Sequence, residues 1–262
     1  MRPVIITATP NISWLNPSLR YPQSPDEFAD EAKNVERAGA SILHMHAQGM
    51  WGDAIREVRR KSSLIVQCGM SSLGIKDRME VFTAGSDMIS VILGHHDEAF
   101  VKQDFHVLHP REELLEYSKL FRKYGVRPEF EVWHTGHIWN LNYLIDKGAL
   151  DVPYFTTLFF GWPGGNWTPP TVEEYLYRRS KMPPNSIINV SIMGKEQMKI
   201  MAAAVAAGDN VRVGTEDNPH MNGRPASNEE LVGQAADLAR SMGRRVARPD
   251  EAAKIIGLNG WK

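Results

Sequence analysis

The sequence predicts a (β/α)8 barrel, and three observations lead to this prediction. Eight short apolar, β-branched segments alternate with helical segments over 262 residues, without a break in composition. Alternation of this kind indicates a parallel sheet, and eight such units in about 250 residues match the size of a closed barrel. No G-x-G-x-x-G turn follows any predicted strand, which disfavours the alternative of a doubly wound sheet. We expect a single domain over residues 1–262, with a short helix at its C-terminal end.

The predicted strands are short apolar runs bounded by turn residues. Runs of this kind, rich in Val and Ile, are typical of β-strands. In chain order they cover Val4–Ala8, Ser41–His46, Leu64–Cys68, Asp87–Leu93, Arg127–Val132, Tyr154–Phe160, Ser186–Ile192 and Val211–Gly214.

The predicted helices begin at capping residues. Ser24, Thr171 and Ser227 each precede a Glu three positions later, which is the capping-box pattern of a helix N-terminus. Gly39 and Gly208 stand where two of the helices stop. The predicted helices cover residues 25–38, 53–60, 76–84, 110–124, 138–147, 172–181, 195–207, 228–242 and 249–256.

Composition argues against several classes of function. The net charge is −1 and the Lys and Arg residues are scattered, so no basic patch predicts nucleic-acid binding. No apolar run approaches the roughly 18 residues of a membrane span, and the N-terminus runs directly into a strand without a signal peptide. Cys68 is the only cysteine, which favours a reducing compartment. We therefore expect a cytoplasmic protein that binds neither nucleic acid nor membrane.

The segment Leu43–His46 predicts half of a metal site. Side chains two residues apart on a strand share a face, so His44 and His46 point the same way while Met45 packs on the other side. Imidazole is a ligand suited to zinc, copper, iron and nickel. The alternative to a metal site is that the two histidines are simply hydrogen-bonded in a polar pocket. Glu216 is the candidate third ligand, because strands eight, one and two are neighbours in a closed barrel. Two histidines and one carboxylate leave an open coordination position, as in catalytic zinc sites.

Other polar residues also follow the predicted strands, at the end of the barrel where active sites lie. Arg212, inside strand eight, needs a carboxylate partner if it is buried, and either Asp217 or Glu129 meets that need. Glu216 and Asp217 could instead cap a helix. The candidates for substrate binding, which could also be simple turn residues, are Asn11, Ser13, Ser71, Ser72 and His95.

Three segments of the chain resemble the β-keto acid cleavage enzyme family. They are residues 39–46 (Gly-Ala-Ser-Ile-Leu-His-Met-His), 127–132 (Arg-Pro-Glu-Phe-Glu-Val) and 211–218 (Val-Arg-Val-Gly-Thr-Glu-Asp-Asn). The resemblance covers almost the whole chain. It implies a (β/α)8 fold, and a homo-oligomer that is a tetramer in the family.

The resemblance also implies a zinc-dependent reaction. Acetyl-CoA and a β-keto acid would be converted to acetoacetate and a new CoA thioester. Asp217, paired with Arg212, would act as the base, and Glu129 would assist proton movement. A Lewis acid on the carbonyl oxygen and a base of tuned pKa are what cleavage of a carbon–carbon bond beside a ketone requires. The residues implied to hold zinc are His44, His46 and Glu216.

The segments expected beside the substrate depart from the family pattern. The family often has a Glu soon after strand one and Val-Arg-Asp after the H-x-H; this chain has Asn-Ile-Ser-Trp at 11–14 and Ala-Gln-Gly at 47–49. The loop after strand three is shortened, and His95 stands where Ser or Thr is common. We expect retained chemistry on an altered substrate, a β-keto acid whose far end is neutral or anionic rather than an amine.

Two other functions are alternatives at this point. An amidohydrolase-type hydrolase also uses H-x-H and a strand-eight carboxylate, but its H-x-H lies on strand one and it needs histidines after strands five and six. Here His134 and His137 follow strand five, and none follows strand six. The second alternative is a non-catalytic protein that binds a small acid. Hydrolysis without CoA would favour the hydrolase, and ligand binding without turnover would favour the binding protein.

Overall fold

A closed barrel of parallel strands forms the centre of the computed structural model, which describes residues 2–10, 18–100, 103–258 and 260. Around the barrel the strands follow the order β1-β10-β9-β8-β7-β4-β3-β2. In chain order the strands are β1 (Ile6–Ala8), β2 (Ile42–Met45), β3 (Ile65–Cys68), β4 (Met88–Ile92), β5 (His96–Phe100), β6 (Gln103–Val107), β7 (Arg127–Val132), β8 (Tyr154–Phe160), β9 (Ser186–Ile192), β10 (Asn210–Val213), β11 (His220–Met221) and β12 (Arg224–Pro225).

The barrel closes where β1 pairs with both β2 and β10. Thr7 of β1 lies opposite Arg212 of β10 on one side and opposite Ile42 of β2 on the other. This register places the carboxyl ends of β2 and β10 on either side of β1, as the sequence analysis requires for its metal site. The predicted (β/α)8 fold is confirmed.

Helices connect the barrel strands and surround them. Within the described residues, none of them combines the length and the apolar composition needed to cross a bilayer. The last helix packs with Ile5, Ile42 and Ile65 in a separate apolar cluster, which fills the amino-terminal end of the barrel. The helices are α1 (Pro25–Ala38), α2 (Trp51–Lys61), α3 (Ile75–Thr83), α4 (Arg111–Tyr124), α5 (Thr135–Asp146), α6 (Val172–Lys181), α7 (Gln197–Ala207), α8 (Asn228–Ser241) and α9 (Pro249–Ile256).

Two helices begin two or three residues earlier than predicted, for local reasons. Helix α2 starts at Trp51 because that side chain is buried on the same face as the core residues of the helix. Helix α5 starts at Thr135 because the side chain of His134 accepts a hydrogen bond from the backbone N–H of Gly136 at 3.1 Å. Histidine is an uncommon N-cap, so the usual capping residues give no signal there.

Alternation along the strands separates an apolar exterior from a polar interior. On β2, Leu43 and Met45 pack in the large apolar cluster that includes the surrounding helices, so His44 points into the barrel. On β10, Val211 occupies the same cluster, so Arg212 points inward. Successive side chains on a strand face opposite sides of the sheet. Polar residues that alternate with apolar ones on these strands therefore point toward the barrel axis.

A hairpin that the sequence analysis did not predict follows β4. Strands β5 and β6 pair antiparallel, with His96 opposite Val107 and Glu98 opposite Phe105. The backbone of the hairpin is fastened to the loop after β8, because Ala99 N–H donates to the carbonyl of Pro163 at 3.0 Å. This contact holds the hairpin at the carboxyl-terminal end of the barrel.

Candidate active site

Two histidines at the end of β2 form the first part of the site. Their Nε2 atoms lie 3.0 Å apart, and His44 Nδ1 lies 2.7 Å from Gln67 Oε1. An amide oxygen only accepts hydrogen bonds, so His44 donates its Nδ1 proton to Gln67 and its Nε2 lone pair faces His46. Burial, reinforced by the charge of Arg212, holds the pKa of His44 well below its usual range, so this ring is neutral.

The carboxylate of Glu216 completes a three-residue cluster with these histidines. Glu216 Oε1 lies 3.6 Å from His46 Nε2, and Oε2 lies 4.0 Å from His44 Nε2. One ligand atom from each of the three residues falls within 4.8 Å of the other two. Burial raises the pKa of Glu216, but Arg212 and the histidines outweigh it and hold that pKa below its usual range.

The backbone beside the cluster passes close to both imidazole rings. A Cβ atom at Gly69 would lie 2.5 Å from His46 Nε2 and 2.9 Å from His44 Nε2. Glycine at this position therefore lets the two nitrogens lie side by side. The hydrogen bond from His44 to Gln67 is the kind of outer contact that orients a metal-binding imidazole. Two imidazoles and one carboxylate are the donor set of a catalytic zinc site, so the residues fit the ion.

Arg212 joins the cluster to a second carboxylate. Its Nη2 lies 2.7 Å from Glu216 Oε1, and its Nε and Nη2 donate to the two oxygens of Asp217 at 3.1 and 3.0 Å. Ser191 Oγ donates to Asp217 Oδ2 at 2.8 Å. Of the two partners that the sequence analysis considered for Arg212, the structure brings Asp217 into contact, whereas Glu129 accepts a hydrogen bond from Thr157 instead.

Glu216 and Asp217 do not cap the following helix. That helix, α8, begins at Asn228, and its N-cap Ser227 forms a reciprocal capping box with Glu230. Burial raises the pKa of Asp217 to about 6, although Arg212 opposes the shift. A carboxylate with this pKa is a stronger base than an exposed Asp and is still ionised near neutral pH.

Two further carboxyl groups point inward from β7. Glu131 lines the cavity beside the histidines, and its Oε2 accepts a hydrogen bond from Trp133 Nε1 at 2.9 Å. Glu129 is fully buried below it. Burial and the charge of Glu131 raise the pKa of Glu129 to about 8, so this group holds a proton at neutral pH.

The cavity receives only some of the residues predicted to bind substrate. Ser71 and Ser72 line it, together with both histidines, Arg212 and Glu216. Asn11 and Ser13 lie outside the described residues. Asp217 and Glu129 lie behind the cavity wall rather than in it. The other lining residues are Met70, Glu98, Glu131, Trp133, Phe159 and Trp162.

His95 does not line the cavity, contrary to the prediction. Its side chain is exposed, and within the described residues its hydrogen bonds are made by its carbonyl oxygen, which lies 3.1 and 2.9 Å from ring nitrogens of His134 and His137. The preceding Gly94 has a φ of +135°, a conformation that favours glycine and that turns the chain before the hairpin begins. As a result His96, the residue after His95, is the one that is buried.

The hairpin contributes two buried residues that the sequence analysis missed. The ring of His96 packs on Trp133 with centroids 3.9 Å apart, and its Nε2 lies 3.1 Å from Glu98 Oε1. Burial, with a further contribution from Glu216, raises the pKa of Glu98 to about 8. The i, i+2 spacing of His96 and Glu98 could have indicated that they share one face of a strand. The surrounding residues are too polar, however, to predict a strand there.

The fold and the site together define a (β/α)8-barrel enzyme, since buried ionisable groups with shifted pKa values gather where such barrels carry out catalysis. Comparison with known sequences gives the family. The chain belongs to the beta-keto acid cleavage enzyme family, whose family model matches residues 3–258. The resemblance seen in the three sequence segments is thereby confirmed, and the chain is an enzyme that acts on β-keto acids.

Relatives with assigned functions match most of the chain. A 3-keto-5-aminohexanoate cleavage enzyme of Acetoanaerobium sticklandii is 31% identical over 265 residues, which is 93% of each chain. A 3-dehydrocarnitine:acetyl-CoA trimethylamine transferase of Rhizobium meliloti is 29% identical over 275 residues, covering 92% of this chain and 91% of that protein. Among solved structures, the apo structure of ObcA matches with a TM-score of 0.77 at 16% identity, over 90% of this chain and 65% of that chain.

Proposed function

We propose that the protein is a zinc-dependent β-keto acid cleavage enzyme that uses acetyl-CoA and releases acetoacetate and a new acyl-CoA. The observation that carries the proposal is the convergence of His44, His46 and Glu216 beside the Arg212–Asp217 pair. Two relatives support acetyl-CoA as co-substrate, since their names are 3-dehydrocarnitine:acetyl-CoA trimethylamine transferase and 3,5-dioxohexanoate:acetyl-CoA acetone transferase.

Zinc is the metal that we propose for the three-residue cluster. His44 and His46 would bind it through Nε2, and Glu216 through a carboxylate oxygen. When bound, zinc supplies a Lewis acid for the keto oxygen. Gln67 keeps the His44 tautomer that leaves Nε2 free for this purpose.

Asp217 is the base in this proposal. The carbon between the keto and carboxylate groups of the substrate gives up a proton and then takes the acetyl group from acetyl-CoA. The CoA thiolate released in that step attacks the original keto carbon, and the carbon–carbon bond breaks to give the new thioester and the carbanion of acetoacetate. That carbanion takes the proton back from Asp217, which yields acetoacetate and restores the base. Asp217 Oδ1 accepts one hydrogen bond, from Arg212, and keeps a lone pair for the proton.

The neighbouring groups hold the base and the substrate. Arg212 fixes the orientation of Asp217 through two hydrogen bonds. Glu129, protonated at neutral pH, assists proton movement behind the cavity wall. Ser71 and Ser72 supply hydroxyl groups that bind the substrate within the cavity.

A labelling experiment tests the reaction. The purified protein is incubated with a panel of β-keto acids and with acetyl-CoA labelled in its acetyl group, and the products are separated. We expect the label in acetoacetate and an unlabelled new acyl-CoA. Substrate hydrolysis in the absence of CoA would instead favour the hydrolase. Binding of the β-keto acid with no product would favour the non-catalytic alternative.

A further inference from the structure

The hairpin brings into the cavity a carboxyl group that the proposed reaction does not use. Residues i and i+2 on a strand share a face, and both His96 and Glu98 of β5 are buried. Asp97 lies between them, is half exposed, and pairs with His106 at 2.9 Å on the outer side. Glu98 is only 6% exposed and lines the cavity that contains His46.

Glu98 has no cationic partner within the described part of the chain. No Lys or Arg there forms an ion pair with it; the basic group in contact with it is His96, with Nε2 at 3.1 Å. Burial lowers the pKa of His96 to about 4, so that ring is neutral at neutral pH. A buried carboxylate is costly unless it is paired, so Glu98 holds its proton while the cavity lacks a cation, and a cation bound there would stabilise the ionised form.

The cation beside the cavity is already engaged. Among the described residues that line the cavity, Arg212 is the only Lys or Arg, and its guanidinium pairs with both Glu216 and Asp217. Arg212 is therefore not available to Glu98.

A stack of rings holds Glu98 in place relative to the reaction centre. His96 packs on Trp133 at 3.9 Å, and Trp133 stacks on Phe159 at 4.2 Å with an interplanar angle of 6°. The guanidinium carbon of Arg212 lies 5.3 Å from the Phe159 ring centroid. The hairpin is thus linked through packed side chains to the residue that orients Asp217.

We propose that Glu98 binds a positively charged nitrogen at the far end of the substrate, so that the protein prefers cationic β-keto acids. The inference rests on the proposed function and adds the substrate class to it. An ammonium group needs an anionic partner where water is excluded, and Glu98 is the acid placed to meet it. The expectation of a neutral or anionic far end rested on the missing Glu after strand one, and the hairpin brings a different acid, Glu98, to the cavity.

Isosteric substrate pairs test the proposal without changing molecular shape. One pair is 3-dehydrocarnitine and 5,5-dimethyl-3-oxohexanoate, which differ only by carbon in place of the quaternary nitrogen. The other is 5-amino-3-oxohexanoate and 5-methyl-3-oxohexanoate, which compares a primary ammonium with a methyl group. We expect kcat/KM to favour the cationic member of at least one pair by about tenfold or more, as for a hydrogen bond or ion pair to a charged group. The pair with the larger ratio identifies the kind of nitrogen.

A Glu98→Gln variant separates substrate selection from catalysis. We expect it to lose most of the cationic preference through a higher KM for the cationic substrate, with a much smaller change in kcat/KM for the neutral isostere. Asp97→Asn is the matched control, because it removes the same charge from the same strand on the outer side, and it should keep the wild-type ratio. Equal losses on both members of a pair, or an unchanged ratio in Glu98→Gln, would overturn the proposal.

A binding measurement distinguishes failure of this inference from failure of the proposed function. Calorimetric titration of the purified protein compares carnitine with 3-hydroxy-5,5-dimethylhexanoate, the reduced forms of the first pair, and neither needs turnover. A tenfold preference for carnitine that Glu98→Gln abolishes would support the cation site even if no β-keto acid were converted. Equal affinities in both titrations, together with equal turnover of both keto substrates, would reject the site and leave the reaction standing.

Discussion

Arg212 and Asp217 form a buried, two-point ion pair, with Nε to Oδ2 at 3.1 Å and Nη2 to Oδ1 at 3.0 Å. Both side chains are almost completely shielded from solvent. A planar guanidinium that meets a carboxylate at two points fixes its orientation as well as its charge. The pair therefore sets the direction in which Asp217 can take a proton.

An Asp217→Asn substitution should abolish turnover while the fold and the metal content are retained. The amide has nearly the same size as the carboxylate but cannot accept the substrate proton. General base catalysis contributes about 10²–10⁴-fold, so kcat should fall by that factor in the acetoacetate assay. Ser191→Ala, which removes only one hydrogen bond to Asp217, should lose much less. Activity of Asp217→Asn within a few-fold of wild type would remove this residue from the mechanism.

A His46→Ala substitution should remove the metal. We expect about one zinc per chain in the purified wild type and a large loss in the variant, since two of three protein ligands would remain. Metal content is measured on dialysed protein by mass spectrometry. His220→Ala, at an exposed position, is the control and should retain zinc. Undiminished zinc in His46→Ala would contradict the proposed site.

A Gly69→Ala substitution should weaken metal binding although glycine itself binds nothing. The added Cβ would lie closer to His46 Cε1 than side chains tolerate, so the imidazole must move away from His44 and Glu216. Gly52→Ala is the control, since a Cβ there meets nothing within 4 Å. Zinc affinity measured by competition with a chelator should fall only at position 69. Equal affinities in both variants would show that the imidazole has space to shift.

The sequence carried enough information to predict that His44, His46 and Glu216 lie together, because their positions depend on barrel geometry. Alternation along β2 places His44 inward, and closure of the barrel through β1 brings β10 close to it. Neither step depends on the loops. The pairing of Arg212 with Asp217 instead of Glu129 depended on side-chain geometry at one turn, and there the sequence left both partners open.

The substrate side could not be predicted because it depends on a hairpin without an apolar pattern. The strands around His96 and Glu98 are largely polar, and they are held by backbone contacts with the distant loop at Pro163. Such contacts leave no periodic signal in the sequence. The same region misled the assignment of His95 to substrate binding, because the turn at Gly94 leaves His95 exposed and buries His96 instead.

The pH dependence of stability should reveal the buried carboxyl group of Glu129. Its folded-state pKa of about 8 lies above the ordinary value of 4.5. Between these values the folded chain holds a proton that the unfolded chain has released, so this group's contribution to stability is complete below pH 4.5 and is lost as the pH rises through 8. The Gln side chain of a Glu129→Gln variant does not titrate. The Tm of the variant should therefore rise relative to that of the wild type as the pH increases.

Thermal unfolding at pH 5, 7 and 9 of wild type, Glu129→Gln and Glu116→Gln measures this difference. We expect the Tm of Glu129→Gln to lie near that of the wild type at pH 5 and clearly above it at pH 9, because Glu129 Oε2 has no hydrogen-bond partner among the described residues to compensate its charge. Glu116, on the exposed side of α4 and paired with Lys119, controls for the loss of one acidic residue. A Tm difference for Glu129→Gln that is constant over this range would show that Glu129 is ionised in the folded protein. Glu129 could then not hold a proton beside Asp217 as proposed.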